Sequence, residues 1–230
     1  MANKLSTRTG NIREFNIFQA KDGGNSIDAS GVVSDIKYYE DVLSNTVSLS
    51  AVIAESGESD NKKMGNKGML DGLPIRGGEP ATIVLEDHDG NKLSFKNESK
   101  LYVNRIRNVI PGTQKDVYSL DFSSRELFAN EQCRVVKRYD GKISDNVKKI
   151  LTEATSGSAG IKTKKNVDNI DDSNTYNFIG NDRKPFYICT WLASKAAPSE
   201  GKKGGTAGYL FYETHDGFNF KSIDKLFQQE

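Results

Sequence analysis

Alternation of apolar and polar residues dominates the first half of the chain. From Thr46 to Glu55, Val47, Leu49, Ala51 and Ile53 fall on one face, with Ser48 and Ser50 opposite. That is the two-residue period of a half-buried strand, because successive side chains point to opposite faces. Val117 to Phe122 repeats the pattern, with Tyr118, Leu120 and Phe122 in step. Ile27 and Ala29 begin a further run that shifts at Gly31 before Val32-Val33. A glycine at such a shift predicts a bulge that lets a long strand coil round a barrel corner. Leu101 to Val109 is less regular. Arg105 and Arg107 share the face begun by Leu101 and Val103, so one end of that strand is expected to leave the core.

Turn residues agree with the strands. Asp89-Gly90 lies between Ile83-Val84-Leu85 and Leu93-Ser94-Phe95, a hairpin signal because glycine accepts positive φ. Pro111-Gly112 precedes Val117-Leu120, and Asp216-Gly217 joins Tyr209-Leu210-Phe211-Tyr212 to Phe218-Asn219-Phe220. Hairpins signalled this way favour antiparallel sheet over a parallel α/β arrangement. Residues 56–73 interrupt the strands with a polar, glycine-rich stretch that reads as an inserted mobile loop. Its Gly65, Gly68 and Gly72 lack the Gly-Lys-Ser/Thr ending of a phosphate-binding loop, and no helix clearly follows.

The second half has a different rhythm. A short helix is expected around Arg125-Glu126-Leu127-Phe128, and Arg134 to Tyr139 reads as a strand ending at Asp140-Gly141. Ile143, Val147, Ile150, Leu151 and Ala154 then form one stripe at helical spacing, with Ser144 placed to cap the free amides. A polar stretch, Thr155 to Ser173, leads to a short strand at Tyr176-Asn177-Phe178-Ile179. Pro185 suits the first turn of another helix running through Trp191 to Lys195. That helix is apolar on most sides and is expected to be buried. The glycine-lysine loop Gly201-Lys202-Lys203-Gly204-Gly205 precedes the final hairpin. The pattern divides into a first domain over 1–125, carrying the loop near 56–73, and a second over 126–230 with two helices. Mainly β, α+β, is the expected class.

Composition narrows the function classes. The chain has 230 residues, with 32 Lys+Arg against 31 Asp+Glu, and this balance argues against nucleic-acid binding as the main task. The N-terminus, Met1 to Gly10, has no apolar run of signal-peptide length. No stretch approaches the roughly 20 apolar residues of a membrane span. A cytoplasmic origin is expected, with no membrane anchor. Cys133 and Cys189 are the only cysteines, form no metal-ligand cluster, and read as buried reduced thiols packed as small hydrophobes.

Candidate chemistry is sparse. His88 and His215 sit in the turns Asp87-His88-Asp89-Gly90 and Thr214-His215-Asp216-Gly217, where a solvated histidine is the ordinary outcome. The acid pairs Asp171-Asp172 and Glu40-Asp41 lie in polar connectors and read as solvated charge. Lys162, Lys164, Lys165 and Lys202-Lys203 lack the interleaved aromatics of a stacking platform and read as loop charge. No nucleophile elbow occurs, and neither cysteine has a histidine near it in sequence. No catalytic, cofactor-binding or metal residue is assigned, and the chain reads as a non-enzyme without cofactors. Trp191, Phe211, Tyr212, Phe218 and Phe220 are equally suited to core and to interface, so none is given a binding role.

One succession of segments carries a resemblance. Ile143 to Leu151 is followed by Tyr176-Asn177-Phe178-Ile179-Gly180, by Pro185-Phe186-Tyr187-Ile188, and by Trp191 to Ala196. Then come Gly208-Tyr209-Leu210-Phe211-Tyr212-Glu213-Thr214 and Asp216-Gly217-Phe218-Asn219-Phe220-Lys221-Ser222. This order resembles the baseplate hub proteins of contractile-tailed bacteriophages, and more distantly the hub part of type VI secretion spike proteins. Gly72 to Glu79 and Tyr118 to Glu126 fit the same families less specifically, so the likeness covers most of residues 12–227.

The resemblance implies two tube-like antiparallel β-barrel domains per subunit and a homotrimer with six such barrels round a channel. Such a ring is a symmetry adaptor between a sixfold tail tube protein and a threefold central spike protein, touching other baseplate proteins and letting DNA pass only transiently. It would belong to the virion tail, assembled in the host cytoplasm. Hub proteins usually continue beyond the point matching Phe218 to Leu226, so the chain is a short hub or the first part of a longer one. Its second barrel is then incomplete in the latter case. Two other readings are a hub domain of a contractile injection spike, and a host glycan-binding or cell-wall-degrading tail-associated protein.

Overall fold

The alternating runs become strands, and the chain divides into two units in this computed structural model, described over residues 10–19, 25–56, 68–112, 115–199 and 207–228. One unit takes Met1–Tyr38 and Ser48–Ser123; the other takes Tyr39–Val47 and Ser124–Glu230. The expected loop at 56–73 and the Gly201–Gly205 loop fall largely outside the described residues. Met69–Gly72, at the end of the former, forms a single helical turn, α1.

The first unit is one large antiparallel sheet. Its strands are β1 (Asn11–Phe18), β2 (Ser26–Asp28), β3 (Val33–Tyr39), β4 (Ser48–Glu55), β5 (Pro80–Glu86), β6 (Lys92–Phe95), β7 (Leu101–Ile110) and β8 (Asp116–Ser124). They lie in the order β2-β1-β5-β7-β8-β4-β3, with β6 also on β5. Leu49, Ala51 and Ile53 of β4 pair with Phe122, Leu120 and Tyr118 of β8, and all six are buried. Phe15 of β1 packs its ring 5.5 Å from Phe122. β7 leaves the core as its arginines implied: Leu101 and Val103 are buried, whereas Val109 and Ile110 are 55% and 61% exposed.

Gly31 marks a turn and not a bulge. The Asp28 carboxylate accepts the Ser30 amide at 2.9 Å and the Ser30 hydroxyl at 2.6 Å. Val32 then donates its amide to the Ala29 carbonyl at 3.1 Å. This local alternative to the ladder ends β2, because aspartate can hydrogen-bond the backbone two residues on. The consequence for the sheet is large. β2 and β3 occupy opposite ends of the strand order, yet only residues 29–32 separate them, a reach of at most about 18 Å. The sheet must curl until its ends meet through the chain. No β2–β3 ladder closes it among the described residues, so the expected barrel is a curled sheet joined at a covalent corner.

The second unit departs further from the expected barrel. Among the described residues its strands form two-stranded sheets: β9 (Arg138–Tyr139) with β10 (Phe178–Ile179), and β11 (Tyr209–Thr214) with β12 (Gly217–Ser222). The rest is α2 (Arg125–Gln132), α3 (Ile143–Thr152), α4 (Pro185–Ala193) and α5 (Ile223–Phe227). Helical stripes win here because the alternating runs are short. Val147, Ile150 and Leu151 of α3 and Phe186, Cys189 and Leu192 of α4 join Phe211, Phe218 and Phe220 in one core. Arg134 to Tyr139 yields only the two residues of β9, preceded by a bridge from Val135 to Arg183. The polar stretch after α3 is ordered against β12, with parallel bridges from Asn166 to Gly217 and from Ile170 to Phe220.

Ser144 does not cap α3. It lies inside the helix, and its buried hydroxyl has no hydrogen-bond partner. The Ser144 amide instead donates to the Ser173 hydroxyl at 2.8 Å, a cap supplied from 29 residues away. Ser173→Ala is therefore expected to cost about 1 kcal/mol, whereas Ser144→Ala is expected to be neutral or stabilising. Thermal melts of the two variants check this, and the reverse order would restore Ser144 as the cap.

Candidate functional site

The sequence-selected polar residues do not converge. His88 lies in the exposed β5–β6 turn of the first unit, and His215 lies in the β11–β12 turn of the second. Among the described residues, no group of His, Cys, Asp or Glu is arranged to hold a metal ion. Cys133 and Cys189 are free and buried, and burial raises the Cys189 thiol well above its usual range. Phe211, Tyr212, Phe218 and Phe220 are buried, and Trp191 is half-buried with its ring edge-on to Tyr176 and Phe178. No helix among the described residues is long and apolar enough to cross a membrane.

Two charges read as solvated are interior. Asp171 is 5% exposed and accepts from Lys225 Nζ at 2.7 Å and from the Ser222 amide at 3.1 Å. Burial alone would raise its carboxyl, but the hydrogen bonds and the lysine charges together hold it below the usual range. Its neighbour Asp172 points to solvent and pairs with Lys142 at 2.9 Å. Lys165 is the second case. Its side chain is 5% exposed and donates to Glu213 Oε1 at 2.5 Å.

Around Lys165 lies a buried charge cluster that the sequence reading missed. Glu213 Oε2 accepts the Val47 amide at 3.0 Å and the Ser124 hydroxyl at 2.8 Å. Glu126 Oε2 stands 3.7 Å from Lys165, and Glu126 Oε1 accepts the Thr163 hydroxyl at 2.8 Å. Two carboxylates thus share one ammonium away from water, and Arg125 Nη2 donates to Glu126 Oε1 at 3.3 Å. Burial pushes the Glu213 carboxyl up, Lys165 opposes this, and Glu126 adds to it; the balance lies above the ordinary range. The cluster ties β11, the start of α2, the 163–165 segment and Val47 together. A signal was legible: Glu213 shares the two-residue period of Tyr209 and Phe211, so it had to face the interior.

The cluster also anchors one end of an exposed loop. Val47 ends a loop, 39–46, that is fixed at several points. His215 donates its amide to Glu40 Oε1 at 2.6 Å, and Thr190 donates its hydroxyl to Asn45 Oδ1 at 3.1 Å. The Leu43 amide donates to Asp41 Oδ1 at 2.8 Å, and the Ser44 amide to the Asp41 carbonyl at 2.9 Å. From this frame Tyr39, Val42 and Leu43 stand 52%, 44% and 79% exposed. The first unit shows a comparable feature at the outer half of β7. Beyond Val103 no strand pairs with its β5-side edge among the described residues. Val109 and Ile110 are adjacent, so their side chains take opposite faces, and both are exposed.

Comparison with known proteins bears on the fold. No family model matches the sequence, and no curated protein matches it. Among solved structures, the chain is similar to the 43 kDa tail protein of prophage MuSo2 from Shewanella oneidensis. The TM-score is 0.50 at 11% identity, over 91% of this chain and 54% of that one. It is also similar to a tail protein from Neisseria meningitidis, with TM-score 0.48 and 13% identity over 93% and 50% of the two chains. An Escherichia coli component of the type VI secretion system gives TM-score 0.36 and 8% identity over 94% and 46%. The first likeness shows that this chain carries a phage tail protein's fold. The chain spans about half the length of the solved proteins it matches.

Proposed function

We propose that the chain is a structural subunit of a phage tail baseplate hub, three copies of which form a pseudo-sixfold ring. In this reading each subunit contributes both of its units to the ring. The ring joins the tail tube protein on one side to the central spike on the other, and DNA passes through it. The observation that carries the reading is the fold shared with the MuSo2 tail protein across 91% of this chain. The curled sheet of the first unit supports it, since a sheet bent through a covalent corner is suited to lining a tube. A formal charge of +1 also supports it, because a strongly basic wall would hold DNA through counterion release.

Native mass spectrometry and electron microscopy of the purified chain test the proposal. Threefold rings with a central channel are expected, as is co-purification with tail tube protein when the two are co-expressed. Monomers at every concentration, with no tail component retained, would remove it.

A further inference from the structure

The two exposed apolar features described above differ in charge. Residues 39–46 carry Glu40 and Asp41 and no basic residue. Residues 104–117 carry Arg105, Arg107 and Lys115 against a single acid, Asp116. Arg107 is engaged with Asp121 at 2.6 Å, while Arg105 and Lys115 are exposed. One surface is therefore acidic and apolar, and the other is basic and apolar.

Single exposed hydrophobic residues need no explanation. Those of the loop are grouped and held, and those of β7 flank one unpaired strand edge. A loop tied down at Glu40, Asp41, Asn45 and Val47 keeps little freedom to fold Leu43 back against its own unit. Such preorganisation lowers the ordering cost of binding, and apolar anchors rimmed by charge are the composition of an interface centre. Identical patches would repel each other at Glu40 and Asp41, so the loop is poorly suited to pairing with its own copy. Its complement in charge and apolarity is present on the same chain.

We propose that a second copy of this chain is the occupant: the 39–43 loop of one subunit docks on the outer half of β7 of the next. The loop lies across the unpaired β5-side edge of β7, so that Tyr39, Val42 and Leu43 reach Val109 on one face and Ile110 on the other, and Glu40 and Asp41 face Arg105 and Lys115. The contact is head-to-tail, because the two surfaces differ, and contacts of that kind close into rings. This inference rests on the ring reading and specifies which surfaces meet.

The buried native thiols make cross-linking a clean test. In the full-length chain, Leu43→Cys with Ile110→Cys is expected to give covalent trimers with a short bismaleimide, while each single variant gives none. Arg105→Glu with Lys115→Glu is expected to raise the concentration of half-dissociation at least tenfold, and to make that value fall with added salt. Native mass spectrometry of the uncross-linked wild type reports separately on the ring. Trimers without a 43–110 cross-link would overturn this inference and leave the ring reading standing. Cross-linked dimers from Leu43→Cys alone would show a symmetric contact and also overturn it. Monomers without cross-links would overturn both.

Discussion

Lys165→Met is expected to destabilise the second unit by about 3–5 kcal/mol, the range for removing one partner of a buried ion pair. Methionine fills nearly the same volume, so the loss is electrostatic and not a cavity. Glu213, fully buried, would lose its ammonium, and Glu126, 2% exposed at the side chain, would keep Arg125 Nη2 at 3.3 Å. The Val47 amide and the Ser124 hydroxyl still donate to Glu213, but neither carries a full charge.

The pH dependence separates this cause from lost packing. Burial places the Glu213 carboxyl above its unfolded value of about 4.3. A carboxyl raised in the folded state contributes its full stability below the unfolded pKa and loses it as pH rises through the folded one. Without Lys165 the upward shift grows, so the deficit of the variant should be largest near pH 8 and shrink towards pH 5. Urea midpoints at those two pH values measure it. Adding Glu213→Gln to Lys165→Met removes one unpaired charge and should recover part of the loss at pH 8. A deficit that is constant with pH, and unmoved by the second substitution, would mean that the cluster matters only as packing.

The clearest sequence signals concerned residues whose neighbours in sequence decide their environment. β4 and β8 were legible because a two-residue period leaves a strand only one way to bury itself, and Pro185 marked its helix because its ring suits the first turn. What escaped depended on partners far along the chain. Ser144 looked like a cap and Ser173 did not, since nothing local brings residue 173 to the start of α3. Lys165 sits in a stretch with no period at all, and its burial is dictated by Glu213, 48 residues later. The corner at Gly31 stood at the right place, but its form is set by the Asp28 side chain and not by the glycine. The docking surfaces were hidden for a related reason: exposure of Leu43 or Ile110 is a property of what fails to cover them, which no local pattern records.

Gly217 shows how a correct local reading can still miss the constraint, and its substitution is the second large effect expected. The sequence marks Asp216-Gly217 as a hairpin turn, and the loop between β11 and β12 is indeed His215-Asp216. Yet Gly217 is the first residue of β12, with φ of 136°, and a Cβ there would lie 2.2 Å from the Asn166 carbonyl oxygen. That carbonyl accepts the Phe218 amide at 2.9 Å, so the approach belongs to the bridge that holds the polar stretch against the sheet. Gly217→Ala must therefore either push Asn166 away or distort β12, beside Phe218 and Phe220, which are fully buried. Strain at an unfavourable φ costs about 1–3 kcal/mol, and displacing a packed backbone adds about 1–3; a total of about 2–6 kcal/mol is expected. Gly141→Ala is the matched control in the same unit. Gly141 has φ of 100°, and no neighbouring atom lies within 4 Å of where a Cβ would stand, so only the conformational part applies. Denaturant unfolding should place Gly217→Ala at least about 1 kcal/mol below Gly141→Ala, since overpacking adds that much or more. Equal losses would mean that backbone angle alone selects glycine at 217, and that the Asn166 segment yields freely.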